Sequence, residues 1–289
     1  MKISIIITED VICIILLSMT LCSILVATLP SLHFIANHGK HNSNNNSNKK
    51  TNNHKEKKNI IIMIIEMLSK WEVSKSLFKT LYWFGILISL YHIITIIMIN
   101  RNNDNLQMMN CLINLILLEF HLIRRLWECY YYTMYGEALM NISGILCGLV
   151  HYFLVPLCII YGDTTNNDCL SSYNSIWKLL STVTFFAANY YQFESHLILY
   201  KLKTKYSGSH MLPKDSLFKF VCCPHYSMEI LIYLSFWMKS PCSLSLICLQ
   251  VWVISNLSVV ANQNLKYYKD KYKDEYDMKN WKRILPYVW

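Results

Sequence analysis

The stretch Phe220-Val-Cys-Cys-Pro-His-Tyr-Ser-Met-Glu-Ile-Leu-Ile-Tyr233 sets the terms for the whole chain. Pro224 suits the first turn of a helix, where its missing N–H costs nothing and its φ is already helical. The run after it is mainly apolar, but His225 and Glu229 fall four residues apart on one helical face. An imidazole and a carboxylate at the mouth of a membrane helix are expensive to desolvate and need a partner. Two readings compete: a structural ion pair, or one wall of a binding site.

Outward from this stretch the chain reads as membrane protein. Of its 289 residues 54% are hydrophobic and 16% are charged, whereas a soluble domain carries about a quarter charged residues. Residues 11–30, 80–99, 138–161 and 241–261 hold no charge at all and are each long enough to cross a bilayer as helix. Residues 106–132, 176–202 and 218–237 are apolar spans interrupted by polar groups. The fold expected is an all-α polytopic membrane protein, with about seven transmembrane helices enclosing a cytosol-facing cofactor pocket. Residues 1–36 form the first transmembrane helix, since the apolar part of 1–30 is too long for a signal-peptide core and no small-residue cleavage site follows. Residues 37–59 are a disordered Asn/Lys-rich loop, residues 60–68 an interfacial segment, and residues 60–289 the membrane domain that carries the site.

The formal charge of +9 is a matter of topology rather than of nucleic acid. Lys40, Lys49, Lys50, Lys55, Lys57 and Lys58 lie in the first loop, and Lys201, Lys203, Lys205, Lys214 and Lys219 in a later one. The positive-inside rule puts both loops and the basic tail after Asn262 in the cytosol, with seven crossings and the N-terminus outside. The sequon Asn45-Asn46-Ser47 is then unused. The acidic, lysine-free segment 162–174 falls on the lumenal side. Eleven cysteines are scattered through apolar segments. Cys222, Cys223 and His225 do not close a zinc site, so no metal is expected, and no disulfide framework is indicated. With seven glycines and no Gly-rich phosphate loop, a Rossmann site is excluded and any nucleotide binds among helices.

Four polar clusters interrupt the spans, all at the predicted cytosolic ends. His121, Arg125 and Glu128 share a face at i, i+4 and i+7, beside Arg124. Gln192, His196, Leu199 and Lys203 form a stripe at i, i+4, i+7 and i+11. His225 and Glu229 make the third cluster. Asn256, followed by Lys266, Tyr267 and Tyr268, makes the fourth. Snorkelling arginines, interhelical hydrogen bonds and a surface-bound tail are the structural alternatives for the first, second and fourth. Arg125, Lys203 and Lys266 together suit a polyanionic cofactor arriving from the cytosol.

From residue 71 to the C-terminus these motifs resemble the steroid 5α-reductase family, and its polyprenal reductase branch in particular. Trp71-Glu72-Val-Ser-Lys75-Ser-Leu-Phe78-Lys-Thr-Leu-Tyr82 is similar to the branch's Val-Pro-Lys-x-x-Phe-x-x-x-Tyr. His121-x-x-Arg124-Arg125-Leu-Trp-Glu128-Cys129 resembles its His-x-x-Arg-Arg-Leu-Phe-Glu-Cys, and Cys223-Pro224-His225-Tyr226-x-x-Glu229 its Ser-Pro-His-Tyr-x-x-Glu. Met211-Leu-Pro213 and the tail from Asn256 through Tyr268 and Tyr272 to Leu285-Pro286 follow the same order. Departures are Ser74 for the usual Pro, Leu265 for a tail His, and Tyr276-Asp-Met-Lys279 for Tyr-Pro-Lys. Leu122 stands where the steroid branch has Tyr.

The resemblance implies an NADPH-dependent reductase of the endoplasmic reticulum membrane, multi-pass with a cytosolic C-terminus. It would convert polyprenal to dolichal at the α-isoprene double bond, in dolichol synthesis for N-glycosylation. Arg125, Gln192, His196, Lys203, His225, Asn256 and Tyr268 would line the NADPH site, with Glu229 orienting His225. Glu72, held protonated by desolvation, or Tyr82 would be the acid. Reduction of a 3-oxo-Δ4 steroid or another enoyl lipid, and a non-catalytic membrane protein that kept the fold, are the alternatives. No nucleic-acid or obligate protein partner is expected.

Overall fold

The computed structural model describes residues 7–28, 71–101, 106–165, 175–206, 211–272 and 281–284. The expectations for 37–59 and 60–68 lie outside the described residues. Seven long α-helices run through the described chain: α1 Glu9–Thr28, α2 Phe78–Asn100, α3 Leu106–Tyr131, α4 Ile142–Thr165, α5 Ser175–Lys205, α6 Pro224–Lys239 and α7 Leu244–Lys271. Four of them, α1, α2, α4 and α7, are long and apolar enough to cross a membrane. The other three carry most of the polar residues discussed below. Outward-facing side chains such as Ile14, Met98 and Ile176 are large, apolar and exposed, as a lipid-facing surface requires.

The packing is a chain of neighbours: α1 lies on α7, α5 on α6, α2 on α3 and α4, and α6 on α7. Glu9 at the start of α1 accepts from the Ser245 amide, 3.1 Å away in the first turn of α7. That satisfies one of the orphan donors at a helix N-terminus. Ser243 caps the same helix by accepting from Leu246 N at 3.2 Å. Pro224 stands in the first turn of α6, as its missing donor allows.

The all-α expectation needs one addition. Residues 138–141, read from sequence as the beginning of a span, are instead partly extended. Strand β1, Glu72–Ser74, pairs antiparallel with β2, Leu139–Asn141, setting Glu72 opposite Asn141. The ladder ties the start of α2 to the start of α4, extended by Ile142 N to Trp71 O (2.9 Å) and Lys75 N to Ala138 O (3.0 Å). Segment 162–174 also differs at its start, since Gly162–Thr165 belongs to α4.

Two apolar cores form. The larger fills the space between the helices. The smaller gathers Leu212, Cys222, Cys223, Ala261, Leu265, Tyr268, Tyr272, Trp281 and Ile284. The tail holds this second core by backbone bonds from Cys222 N to Lys282 O (2.8 Å) and from Cys223 N to Arg283 O (3.1 Å). Ser227 Oγ donates to Ile284 O at 2.6 Å and Trp281 Nε1 to Phe218 O at 2.7 Å. One cysteine expectation is corrected: Cys242, in the turn between α6 and α7, is disulfide-bonded.

Candidate functional site

The helical period of α3 puts His121, Arg124, Arg125 and Glu128 on adjoining faces, and packing turns all four inward. Glu128 is fully buried and receives both guanidiniums, Arg124 on one oxygen and Arg125 on the other. His196 Nδ1 lies 2.7 Å from Glu128 Oε2 and 2.8 Å from Arg125 Nη1. Nδ1 therefore stands between a group that only donates and one that only accepts, and its tautomer decides which of the two contacts is the hydrogen bond.

Gln192 joins three helices. Its oxygen accepts from Arg124, and its amide nitrogen donates to Glu229 and, at 3.2 Å, to the His225 carbonyl. His121 lies between α5 and α6, with Nδ1 3.0 Å from Asn189 Oδ1 and Nε2 3.5 Å from Glu229. Arg124 Nε also donates to Asn189 at 3.0 Å. The partners of Glu229 are therefore Gln192 and His121, across helices, where the sequence suggested His225 on its own helix. Two guanidiniums face two carboxylates, so the buried charges compensate.

Tyr82 completes the cluster from α2. Arg125 Nη2 donates to its hydroxyl at 3.0 Å, and the guanidinium lies 5.4 Å from its ring centroid. Arginine has no acceptor, so the tyrosine's own proton is directed elsewhere. A second hydroxyl is prepared in the same way. Trp252 Nε1 donates to His151 Nδ1 at 3.2 Å, which leaves His151 Nε2 to donate to Tyr233 Oη at 2.7 Å. Tyr152 packs between the two pairs, 5.6 Å from Tyr82 and 5.1 Å from His151 by ring centroid.

The sequence-predicted residues divide into two groups. Tyr82, Arg125, Gln192 and His196 meet in one bonded cluster, with His225 beside it, its ring 5.4 Å from that of His196. The rest lie apart. Glu72 is exposed on β1 rather than buried with the cluster. Lys203 donates to the Met134 carbonyl. Asn256, half-buried on α7, takes no part in the hydrogen-bonded cluster. Tyr268 is buried in the second core against Trp281, at 5.7 Å, while Lys266 is exposed. No group of His, Cys, Asp and Glu able to hold a metal occurs among the described residues.

Asn189, His151 and Tyr233 were not singled out from sequence. Asn189 had a signal, since it extends the Gln192–His196 stripe backwards by three residues. His151 had only its polarity within an apolar run, and its role depends on a tyrosine and a tryptophan about 80 and 100 residues away.

Comparison with known proteins gives a consistent relationship. The sequence profile described as "3-oxo-5-alpha-steroid 4-dehydrogenase" matches residues 158–289. Polyprenal reductase of Danio rerio is 29% identical over 168 residues, covering 55% of this chain and 54% of the relative. That of Saccharomyces cerevisiae is 34% identical over 157 residues, covering 54% and 57%, and that of Xenopus tropicalis 26% over 196 residues, covering 62% and 61%. The matched part of the chain spans about half the length of these curated relatives, somewhat more for the last. Residues 158–289 are thus similar to the 3-oxo-5-alpha-steroid 4-dehydrogenase family, and the chain is similar to polyprenal reductases over about half its length.

Proposed function

We propose that the protein is an NADPH-dependent reductase that converts polyprenal to dolichal, with Tyr82 as the acid. The observation that carries this reading is the compensated cluster of Arg124, Arg125, Glu128, Gln192 and Glu229, which holds Tyr82 and His196 in single orientations. Such preorganised dipoles do catalytic work because they need not reorganise as charge develops. The names of the relatives supply the substrate.

The donor set suits a dinucleotide. His196 Nε2 and the His225 ring stand at the edge of the cluster, and the Asn256 amide is not committed to any bond within it. Exposed cations such as Lys266 lie on the same tail side and suit phosphate. NADPH bound there would supply hydride to the β-carbon of the enal. As the carbon–carbon double bond opens, electron density moves to the aldehyde oxygen. Tyr82 would hydrogen-bond that oxygen and deliver its proton to give the enol, the Arg125 contact stabilising the phenolate left behind. Tautomerisation of the enol would then place a proton on the α-carbon to give the saturated aldehyde. Glu72 is retained as an alternative acid.

In this reading α3, α5 and α6 also cross the membrane, for seven crossings. Helices α3 and α5 fall outside the plain hydropathy pattern because they carry polar residues of the site, and α6 because its regular helix is only 16 residues long. The disulfide at Cys242 supports a lumenal position for the α6–α7 turn, since disulfides persist in oxidising compartments. The cluster and the C-terminus are then cytosolic, in the endoplasmic reticulum.

Microsomes carrying the protein, supplied with NADPH and polyprenal, should form dolichal. Absence of product with expression confirmed would sink the reading. Turnover of a 3-oxo-Δ4 steroid in preference to polyprenal would move the assignment to the steroid reductases.

A further inference from the structure

A second polar cluster lies at the opposite end of the bundle. On α3 Asn114 precedes Arg125 by eleven residues, which at 1.5 Å per residue is about 16 Å along the helix. Asp163, near the end of α4, is buried and accepts from Asn114 Nδ2 at 2.7 Å and from Ser240 Oγ at 2.5 Å. Lys239, the last residue of α6, donates to Asn114 Oδ1 at 2.9 Å. Asn114, Asp163 and Lys239 line a cavity of about 160 Å³, open on one side, together with Asn110, Ile113, Lys178 and Thr182. That is the volume of roughly five waters.

The cavity has more donors than acceptors. Both oxygens of Asp163 are already taken by neutral donors. The Lys178 ammonium forms no ion pair or hydrogen bond among the described residues, and Asn110 Nδ2 is buried without a partner. Among the described residues, two ammonium groups therefore face one carboxylate. A buried unsatisfied donor and an uncompensated charge both call for an acceptor. A tetrahedral oxyanion supplies several acceptors and the missing negative charge at once.

We propose that this cavity binds a phosphate group, presented by an anionic phospholipid of the surrounding leaflet. Lys178 is in the first turn of α5 and Lys239 is the last residue of α6, which in the proposed seven-crossing arrangement is where lipid headgroups would stand. The cavity wall continues outward through Ile113, which is 47% exposed, and beside Lys178 the residues Ile176 and Leu179 are also exposed. These surfaces receive acyl chains while the phosphate reaches the lysines.

The test uses the full-length protein in nanodiscs of phosphatidylcholine with or without phosphatidic acid, with retained lipid read by native mass spectrometry. The wild type should retain phosphatidic acid over phosphatidylcholine by about tenfold, as expected for one charge-assisted contact. Lys178→Gln should abolish the preference and Lys178→Arg should keep it. Should Lys178→Gln not fold, Asn110→Leu removes the unpartnered donor and should lower retention severalfold. In a second arm inorganic phosphate is added to phosphatidylcholine discs. If it raises the thermal midpoint of wild type but not of Lys178→Gln, and phosphatidic acid is not retained, the site takes free phosphate rather than lipid. Equal retention by wild type and both loss variants, with no response to inorganic phosphate, overturns the site. None of these readouts depends on turnover, so the result is separable from the fate of the reductase assignment.

Discussion

At one end of the bundle Arg124 and Arg125 meet Glu128 and Glu229, charge for charge; at the other Asp163 faces Lys178 and Lys239 across a cavity. The first cluster draws on α2, α3, α5 and α6, and its amides and imidazoles tie the paired charges together across helices. The second uses α3, α4, α5 and α6, and leaves a cation and an amide unspent. A closed network in low dielectric is rigid, which suits the orientation of an acid and a cofactor. An open one is a place for a ligand to enter. The two ends use similar residue types, and it is the stoichiometry of charge that separates them.

The most severe way to break this contrast is Glu128→Gln. It leaves two buried guanidiniums with one carboxylate fewer, at a cost of about 3–5 kcal/mol. Thermal unfolding in detergent should show the loss, and reductase turnover should vanish with it. Tyr82→Phe sharpens the same end differently. It keeps the Arg125–Glu128 pair, so the unfolding midpoint should stay close to wild type while NADPH-dependent formation of dolichal falls about 10²–10⁴-fold. Glu72→Gln in the same assay should retain most activity, and a reversal of these two results would make Glu72 the acid.

At the open end Asp163→Asn should be milder than Glu128→Gln, about 1–3 kcal/mol by unfolding, because the partners of Asp163 are neutral donors. An equal or larger loss would show that this end is as tightly compensated as the other. The smallest effect belongs to the tail. Ser227→Ala removes the hydrogen bond to Ile284 O, worth ~1 kcal/mol. It should chiefly raise proteolytic cleavage near residue 281 without moving the main transition.

Much of this was legible beforehand for physical reasons that differ from element to element. The body of α2 follows from uncharged length and the start of α6 from Pro224, whereas α7 continues ten residues beyond the uncharged stretch 241–261. The strands β1 and β2 were not legible, because three residues are too few to show a period of two. Cys242 resembles any other cysteine in an apolar span, so its disulfide left no trace in composition. Tyr268 was read as a cofactor contact from its motif position, yet it packs against Trp281 in the second core. That choice depends on a tail whose return to α6 no local pattern encodes.

The sequence by itself determined the helices, the polar faces they carry and the resemblance that locates the family, because the 3.6-residue period ties neighbouring side chains to one face. Only the tertiary structure decided which faces meet. Gln192 finding Arg124 and Glu229, Tyr82 receiving Arg125, and His151 being oriented by Trp252 are contacts across tens of residues. They arise from packing whole helices, whose mutual rotation no single helix specifies. The balance of charge at each end is therefore a property of the assembled bundle.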